Sequence, residues 1–463
     1  MARERTAYHC DQCGFVVPKW VGRCPDCKAW GSVVEAGPTA TRKVPAGPVS
    51  APALPIAQVE VEAARARPTG VAELDRVLGS GLVPGAVILL AGEPGVGKST
   101  LLLEVAQSYA SSGTGRALVV TGEESTAQVR LRAERTGALS ENLYLAAETE
   151  LTAVLGHLDD VKPGLLILDS VQTFAAPGIE SAAGGVTQVR AVASALTAVA
   201  KARGMAVVLV GHVTKDGSIA GPRVLEHIVD VVLQFTGEQH SPLRLVRAVK
   251  NRFGAADEVG CFEMHEGGIR GLADPSGLFL NRHSEPVIGT CVTVTMEGRR
   301  PLLAEVQSLV AASTLPSPRR AVSGLDHARV AMTLAVVERH AECVLGNKDV
   351  FAATVGGHRI TEPAADLAVA MAVMSSAFTR LLPPDLVAVG EVGLSGELRR
   401  VSGVGRRLAE AYRLGFRHAL VPAGSEDLPP KMKVYPVADL PAAIAAVRHM
   451  NIQDGRPPSA PRP

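Results

Sequence analysis

Ala86-Val-Ile-Leu-Leu-Ala-Gly92-Glu-Pro-Gly-Val-Gly97-Lys98-Ser99-Thr100 decides the fold. Its first six residues form an unbroken apolar run, the pattern of a strand buried on both faces, and Leu101–Tyr109 continues as a helix. Between them lies GxxxxGK[ST] in the strand–loop–helix setting that the motif requires. The glycines let successive backbone N–H groups face phosphate oxygens at a helix N-terminus. Lys98 offers a point charge to the β and γ phosphates, and the Ser99 hydroxyl offers Mg2+ a ligand. Gly92, Glu93, Pro94, Gly95, Val96, Gly97, Lys98, Ser99 and Thr100 therefore read as the cradle of a nucleoside triphosphate with its magnesium.

Working outward, the apolar runs Ala117–Val120, Leu165–Leu168, Ala206–Val210 and Val229–Phe235 alternate with helix-length segments, which predicts a buried, mostly parallel sheet. Open sheets of this kind bind ligands beyond the carboxyl ends of their strands, so the residues ending these runs are the candidates. Asp169 would orient magnesium; the alternative is a strand-end acid capping a turn. Glu123 or Glu124 would polarise the attacking water, or the pair caps a helix starting near Ser125. His212 or Thr214 would sense the γ-phosphate, against an ordinary solvated turn. Lys250-Asn-Arg252-Phe-Gly254 ends the run Leu243–Val249 with two cations on one face, which are either solvated or aimed at an anion.

The flanks differ in composition. Residues 1–35 carry Cys10-Asp-Gln-Cys13 and Cys24-Pro-Asp-Cys27, two CxxC turns separated by ten residues, the spacing of a closed four-thiolate zinc site. Such a site folds a ribbon too small to make its own core, and it does no chemistry. Trp20 and Trp30 flank it, either packing the ribbon or stacking on a base or partner. Residues 36–66 are a Pro/Ala-rich tether, 67–272 the ATPase region, 273–450 a second domain, and 451–463 a frayed tail.

The chain has 463 residues, 47 Lys+Arg against 46 Asp+Glu, and only two Trp, five Tyr and nine Phe. That length predicts more than one domain, and the balanced charge names no partner, so any phosphate affinity must be local. So few aromatics argue against a broad base-stacking platform. The absence of an apolar run of membrane-spanning length, and cysteines too few for a disulfide framework, lead to the expectation of a cytoplasmic protein with no membrane partner.

The four-cysteine head, GEPGVGKST, GEES, GHVTKDG and above all KNRFG resemble, in that order, the RadA/Sms family of bacterial recombination proteins. The resemblance implies an α/β fold: a RecA-like parallel-sheet P-loop ATPase core, a small N-terminal zinc ribbon and a C-terminal Lon-protease-like α+β domain. It also implies a homohexamer that hydrolyses ATP while moving on single-stranded and branched DNA, acting as a helicase in branch migration alongside the RecA recombinase. Its cofactors would be ATP, Mg2+ and Zn2+. By the same likeness Lys250 and Arg252 would reach the neighbouring subunit's nucleotide, and Glu123 rather than Glu124 would be the base. The segment from Gly178 to Arg190 resembles a loop facing the central channel, with Gln188 and Arg190 available to phosphates; an ordinary loop is the alternative.

Residues from about 275 to 449 resemble the Lon protease domain, with landmarks at 359–366 and 396–407. Ala364 matches the family's serine and Gly405 its lysine, so peptidase chemistry is not expected. Arg399, Arg400, Arg406, Arg407, Arg413 and Arg417 crowd one stretch, with Arg319-Arg320 adding a pair. They are read as sequence-independent DNA contacts or as a solvated helix face with internal ion pairs. A nucleotide-gated scaffold that assists a recombinase without translocating is the rival reading.

Overall fold

The computed structural model describes residues 8–35, 54–58, 61, 65–212, 225–237, 242–280 and 286–453, with side chains through residue 450. Most of the tether and tail, and Thr214, lie outside them. Contacts divide the chain into Met1–Val61 and Glu62–Pro463.

In the first unit β1 (Tyr8–Cys10) pairs antiparallel with β2 (Val16–Val17) and β3 (Val33–Glu35). Its apolar centre is little more than Cys10, Val17, Cys24 and Val33. A core so small needs a cross-link, which is the role a metal fills.

The second unit opens with α1 (Ala72–Leu78), β4 (Val87–Gly92) and α2 (Lys98–Ser111). There follow β5 (Ala117–Thr121), α3 (Thr126–Thr136), β6 (Leu143–Ala147), α4 (Leu151–Val161), β7 (Leu165–Asp169), α5 (Val186–Arg203) and β8 (Ala206–His212). β9 (Val231–Gly237), β10 (Leu243–Asn251), β11 (Val259–His265) and β12 (Gly268–Gly271) complete a sheet in the order β12-β11-β10-β9-β4-β8-β7-β5-β6. From β9 to β6 the strands are parallel, and β10 to β12 extend the sheet antiparallel. The phosphate-loop strand thus sits between β9 and β8, as in the RecA-like fold.

Alternation explains the unbroken apolar strands. Ile88 and Leu90 face one core with Leu101, Leu102 and Val105 of α2, while Val87, Leu89 and Ala91 face the other with α4 and α5. A strand covered on both sides has no polar face to show. The expected runs hold to within a few residues, and β7 and β8 extend to include Asp169 and His212.

Beyond the ATPase sheet, β13 (Thr290–Glu297), β14 (Arg300–Ala312), β15 (Arg320–Ser323) and β16 (Lys348–Thr354) join a seven-stranded sheet with β17 (Leu386–Ala388). β18 (Glu391–Val392) and β19 (Leu398–Arg399) form a separate ribbon. β20 (His418–Pro422) and β21 (Lys433–Val437) close the larger sheet's far edge. Between the strands run α6 (His327–His340), α7 (Asp366–Ala377) and α8 (Val404–Arg413), and α9 (Leu440–Gln453) follows the last. α7 is buried from Asp366 to Ser375, which is why its sequence is apolar on every face.

The turn joining β13 to β14 docks on the ATPase. Arg300 and Glu73 form a buried ion pair, and the Arg300 guanidinium also donates to the Ala273 carbonyl at 2.8 Å. Glu73 in turn accepts from Cys261 N at 2.9 Å, and Arg247 pairs with Glu297 at 2.6 Å.

Candidate nucleotide site and cysteine cluster

The strand order brings the predicted residues to one edge. Gly92 ends β4 in register with His212 at the end of β8, and Thr121 of β5 is in register with Asp169 of β7. The chain leaving β5 therefore sets Glu123 beside Asp169. Carboxylate oxygens of Glu123 and Asp169 and a ring nitrogen of His212 lie within 4.8 Å of one another.

Lys98 is the first residue of α2, and its Nζ donates to the Gly92 and Glu93 carbonyls at 3.0 and 2.8 Å. His212 Nδ1 lies 3.3 Å from the same ammonium. Burial lowers the lysine's pKa, opposed by the charges of Asp169 and Glu123. Asp169 is pushed up by burial against a hydrogen bond from Ser99. Magnesium prefers oxygen ligands and keeps several waters, so the Ser99 hydroxyl and Asp169 carboxylate fit it.

Glu123 Oε1 accepts from Ser170 Oγ at 2.5 Å and lies 2.8 Å from His212 Nε2. Burial would raise its pKa, but the Ser170 hydroxyl, His212 and Lys98 together hold it below the usual glutamate value. Glu124 is engaged differently: its carboxylate pairs closely with Arg132, in a small cavity that Ser99 and Asp169 also line. Neither acid caps α3. Ser125 does, in a capping box where Gln128 Oε1 accepts from Ser125 N at 2.9 Å. Of the two, Glu123 is the one in contact with His212 and Ser170, while the Glu124 carboxylate is held by Arg132.

The KNRFG segment lies at the opposite edge of the sheet, where Lys250 and Asn251 are in register with Val232 and Val231 at the start of β9. Lys250 Nζ donates to the Val229 carbonyl at 2.8 Å and also to that of Glu226. Burial and the neighbouring Arg252 charge lower its pKa. Asn251 Nδ2 closes the end of α1 on the Val77 and Leu78 carbonyls at 3.2 and 3.1 Å. Arg252 Nη1 bonds Asp230 Oδ1 at 2.9 Å. Gly254 passes so close to Gly79 that an added Cβ would lie 3.1 Å from its Cα, which explains the glycine.

Two expected DNA contacts are overturned. Gln188 is buried, its amide bonded to Ala176 N, Ile179 O and Ser181 O at 2.8, 3.0 and 3.0 Å, so it braces the loop from within. Arg407 is also buried, forked onto both Glu362 oxygens at 2.7 Å and bonded to the Ser402 carbonyl at 3.0 Å. With their donors consumed inside, neither can reach a phosphate. Arg190, by contrast, is exposed on α5.

The other arginines from 399 to 417 are exposed but engaged. Arg399 pairs with Glu397 at 2.6 Å, Arg413 with Glu410 at 2.7 Å, and Arg400 lies 3.6 Å from Glu426. Arg406 reaches the Arg299 carbonyl at 3.4 Å, and Arg417 stacks on Tyr412 at 4.5 Å. Arg320 donates to the Leu345 carbonyl at 2.8 Å. Ala364 is buried, and a Cβ on Gly405 would lie 2.4 Å from the Asp427 carbonyl oxygen, leaving no room for a lysine there.

Ser170 and Gln172 were not legible as site residues. Ser170 follows the predicted Asp169, its only sequence signal. Gln172 Nε2 lies 3.5 Å from the His212 carbonyl oxygen, and its Oε1 is buried without a partner. Asp230 falls inside the apolar run Val229–Phe235, and an acid at such a place is the signal the sequence carries.

In the first unit, Cys10 Sγ lies 3.6 Å from Cys27 Sγ, and Cys13 Sγ 3.6 Å from Cys24 Sγ. Zn–S bonds of about 2.3 Å in a tetrahedron require sulfurs about 3.8 Å apart, so the four thiols fit zinc. Each CxxC turn closes on a left-handed residue, Gly14 at φ 73° and Lys28 at φ 61°, whose N–H returns to the first cysteine's carbonyl. Packing does not consume the tryptophans, which are 62% and 75% exposed at Trp20 and Trp30. Trp20 Nε1 donates to the Val33 carbonyl at 3.0 Å, fixing its ring.

A family model described as an AAA domain matches residues 51–218, and one described as a rubredoxin metal binding domain matches residues 8–35. The matches cover the phosphate loop and the four cysteines, so ATP, Mg2+ and Zn2+ are the cofactors. DNA repair protein RadA of Mycolicibacterium smegmatis is 53% identical across 97% of this chain and 98% of its own length. The protein so named from Brucella abortus is 46% identical, across 96% of this chain and 99% of its own. That of Streptococcus pyogenes serotype M1 is 43% identical, across 96% and 100%. Among the described residues no helix is long and apolar enough to cross a membrane.

Proposed function

Because this chain belongs to the RadA family of DNA repair proteins, we propose that it is an ATP-driven motor in recombination and repair, translocating on single-stranded and branched DNA as a homohexamer. Lys98, Ser99 and Asp169 hold Mg·ATP. Glu123 orients the attacking water, and His212 reads the γ-phosphate through its contacts with both Lys98 and Glu123. Lys250 and Arg252, at the sheet edge away from their own phosphate loop, act on the nucleotide of the neighbouring subunit. This action takes place in the cytoplasm with the RecA recombinase, the zinc ribbon serving as a docking module.

The observation that carries this reading is the single contact chain from Lys98 through His212 to Glu123. It ties the group that binds the γ-phosphate to the group that activates water. DNA is gripped through phosphates, with Arg190 and the exposed Arg399, Arg400 and Arg406 as the contacts. Ala364 and Gly405 supply neither nucleophile nor amine, so the C-terminal domain works in assembly and DNA binding rather than proteolysis.

A strand-displacement assay on forked and three-strand DNA, with and without ATP and RecA, tests the motor. Unwinding by the intact chain and none by Lys98→Ala is the expected result. DNA-indifferent turnover without displacement would instead establish a nucleotide-gated scaffold.

A further inference from the structure

Arg252 has one anchor of a special kind. Asp230 is 4% exposed, and its two carboxylate oxygens have different partners. Oδ1 accepts from Arg252 Nη1 at 2.9 Å, and Oδ2 accepts from Val87 N at 3.1 Å. The Asp230 backbone N–H also donates to the Val87 carbonyl at 2.9 Å, so this residue is stitched to the first residue of β4. The Arg252 side chain is 52% exposed. One arm of its fork is fixed and the rest faces outward, the posture needed to meet an anion on another molecule. Its own phosphate loop is at the far end of β4, about 16 Å away at ~3.3 Å per strand residue.

We propose that Asp230 is the positioning residue that presents Arg252 to the neighbouring subunit's nucleotide and ties that arginine to the strand ending in its own subunit's phosphate loop. The inference rests on the across-interface reading of Arg252 given above. A buried carboxylate is costly unless both oxygens are satisfied, and here they are satisfied by the two elements the role requires. Lys250 steadies the same segment through the Glu226 and Val229 carbonyls, leaving the Asp230 carboxylate as the charged partner of Arg252 among the described residues.

Subunit complementation tests this. Asp230→Asn can keep the bond from Val87 N while removing the charge that orients Arg252. Alone it should lower kcat on the order of tenfold, since small misplacements of a catalytic group carry such costs, with KM for ATP unchanged because its own phosphate loop is intact. Asp230→Asn and Lys98→Ala chains are co-expressed with different tags and purified through both, so every ring is mixed. In such rings an intact phosphate loop meets an intact Arg252, and turnover should exceed that of either parent. Arg252→Ala mixed with Lys98→Ala is the control.

Gain in both mixtures supports the inference. Gain with Arg252→Ala but none with Asp230→Asn overturns it and leaves the across-interface reading standing. Gain in neither overturns that reading and the inference with it. Thermal unfolding and ring size are measured for each variant. A defect in Asp230→Asn that follows lost stability and is not complemented marks a structural acid and also overturns the proposal.

Discussion

One imidazole joins two groups of opposite charge: His212 Nε2 lies 2.8 Å from the Glu123 carboxylate, while its Nδ1 lies 3.3 Å from the Lys98 ammonium. An ammonium only donates, so the nitrogen facing it accepts, and the proton sits on the nitrogen facing Glu123. The ring is thus held in one tautomer. A phosphate that draws Lys98 away from the Gly92 and Glu93 carbonyls would alter what His212 offers Glu123. His212→Ala is therefore expected to lower kcat about 10²-fold with little change in nucleotide affinity. Measuring single-turnover hydrolysis alongside equilibrium ATP binding checks this; an equal loss in both would make the histidine a simple binding residue.

Glu123 and Glu124 should separate cleanly. Glu123→Gln is expected to reduce turnover about 10²- to 10⁴-fold while ATP still binds, as for loss of a positioned base. Glu124→Gln removes only the Arg132 partner and is expected to retain most activity, with a stability loss of about 1 kcal/mol. Steady-state turnover of both variants decides it, and the reverse ranking would exchange their roles.

Ser170→Ala should move the acid limb of the pH–rate profile. The Ser170 hydroxyl is the foremost of the contacts that hold the Glu123 pKa below its ordinary value. A depressed carboxylate contributes stability above its unfolded pKa and loses it as pH falls through the folded one. Removing the hydroxyl raises the folded pKa, so activity is lost at a higher pH on acidification and the neutral limb is unchanged. A profile superimposable on that of the intact chain would show that Ser170 does not tune the carboxylate.

The ribbon's fold should depend on its metal. Four thiolates closing on zinc supply folding free energy that Cys10, Val17, Cys24 and Val33 alone cannot. Chelation, or Cys13→Ser, is expected to abolish the single bound zinc per chain and to expose residues 8–35 to proteolysis, while the unit beginning at Glu62 keeps its unfolding transition. Zinc stoichiometry and limited proteolysis read this directly. A ribbon that stays protected without metal would remove the structural role.

These outcomes trace what the sequence could and could not convey. The phosphate loop and the four cysteines were legible because backbone geometry and ligand spacing restrict which residues can stand there, while Asp169 and the Glu123–Glu124 pair stood out only as acids ending strand-like runs. Whether a polar side chain is spent inside the fold depends on partners remote in sequence. Gln188 turns inward because the loop at Ala176 to Ser181 needs a brace, and Arg407 because Glu362, 45 residues away, meets it. Glu124 finds Arg132 one helix face later, so its pairing depends on where α3 begins. Arginine density registered charge; Arg399 and Arg413 meet Glu397 and Glu410 close by in sequence, whereas the partners of Arg400 and Arg407 are brought in by tertiary structure.

Arg190 and Arg407 offer the sharpest test of that difference. Arg190 lies exposed at the head of α5, just beyond the loop braced by Gln188, and on the reading proposed above it would meet DNA phosphates and contribute to salt-dependent binding. Arg190→Ala is expected to weaken single-strand binding for every sequence and to reduce the salt slope by about one, with stability within ~0.5 kcal/mol of the intact chain. Arg407→Ala takes from the Glu362 carboxylate the guanidinium that meets both its oxygens, leaving Met296 N as its remaining donor, and is expected to cost about 3 kcal/mol of stability. Replacing both partners, as Arg407→Met with Glu362→Gln, should recover part of that loss, because the penalty lies in the unpaired charge rather than in the missing attraction. Folded Arg407→Met/Glu362→Gln protein should then bind DNA with an unaltered salt slope. A reduced slope there, or an unaltered one in Arg190→Ala, would reverse which arginine touches DNA.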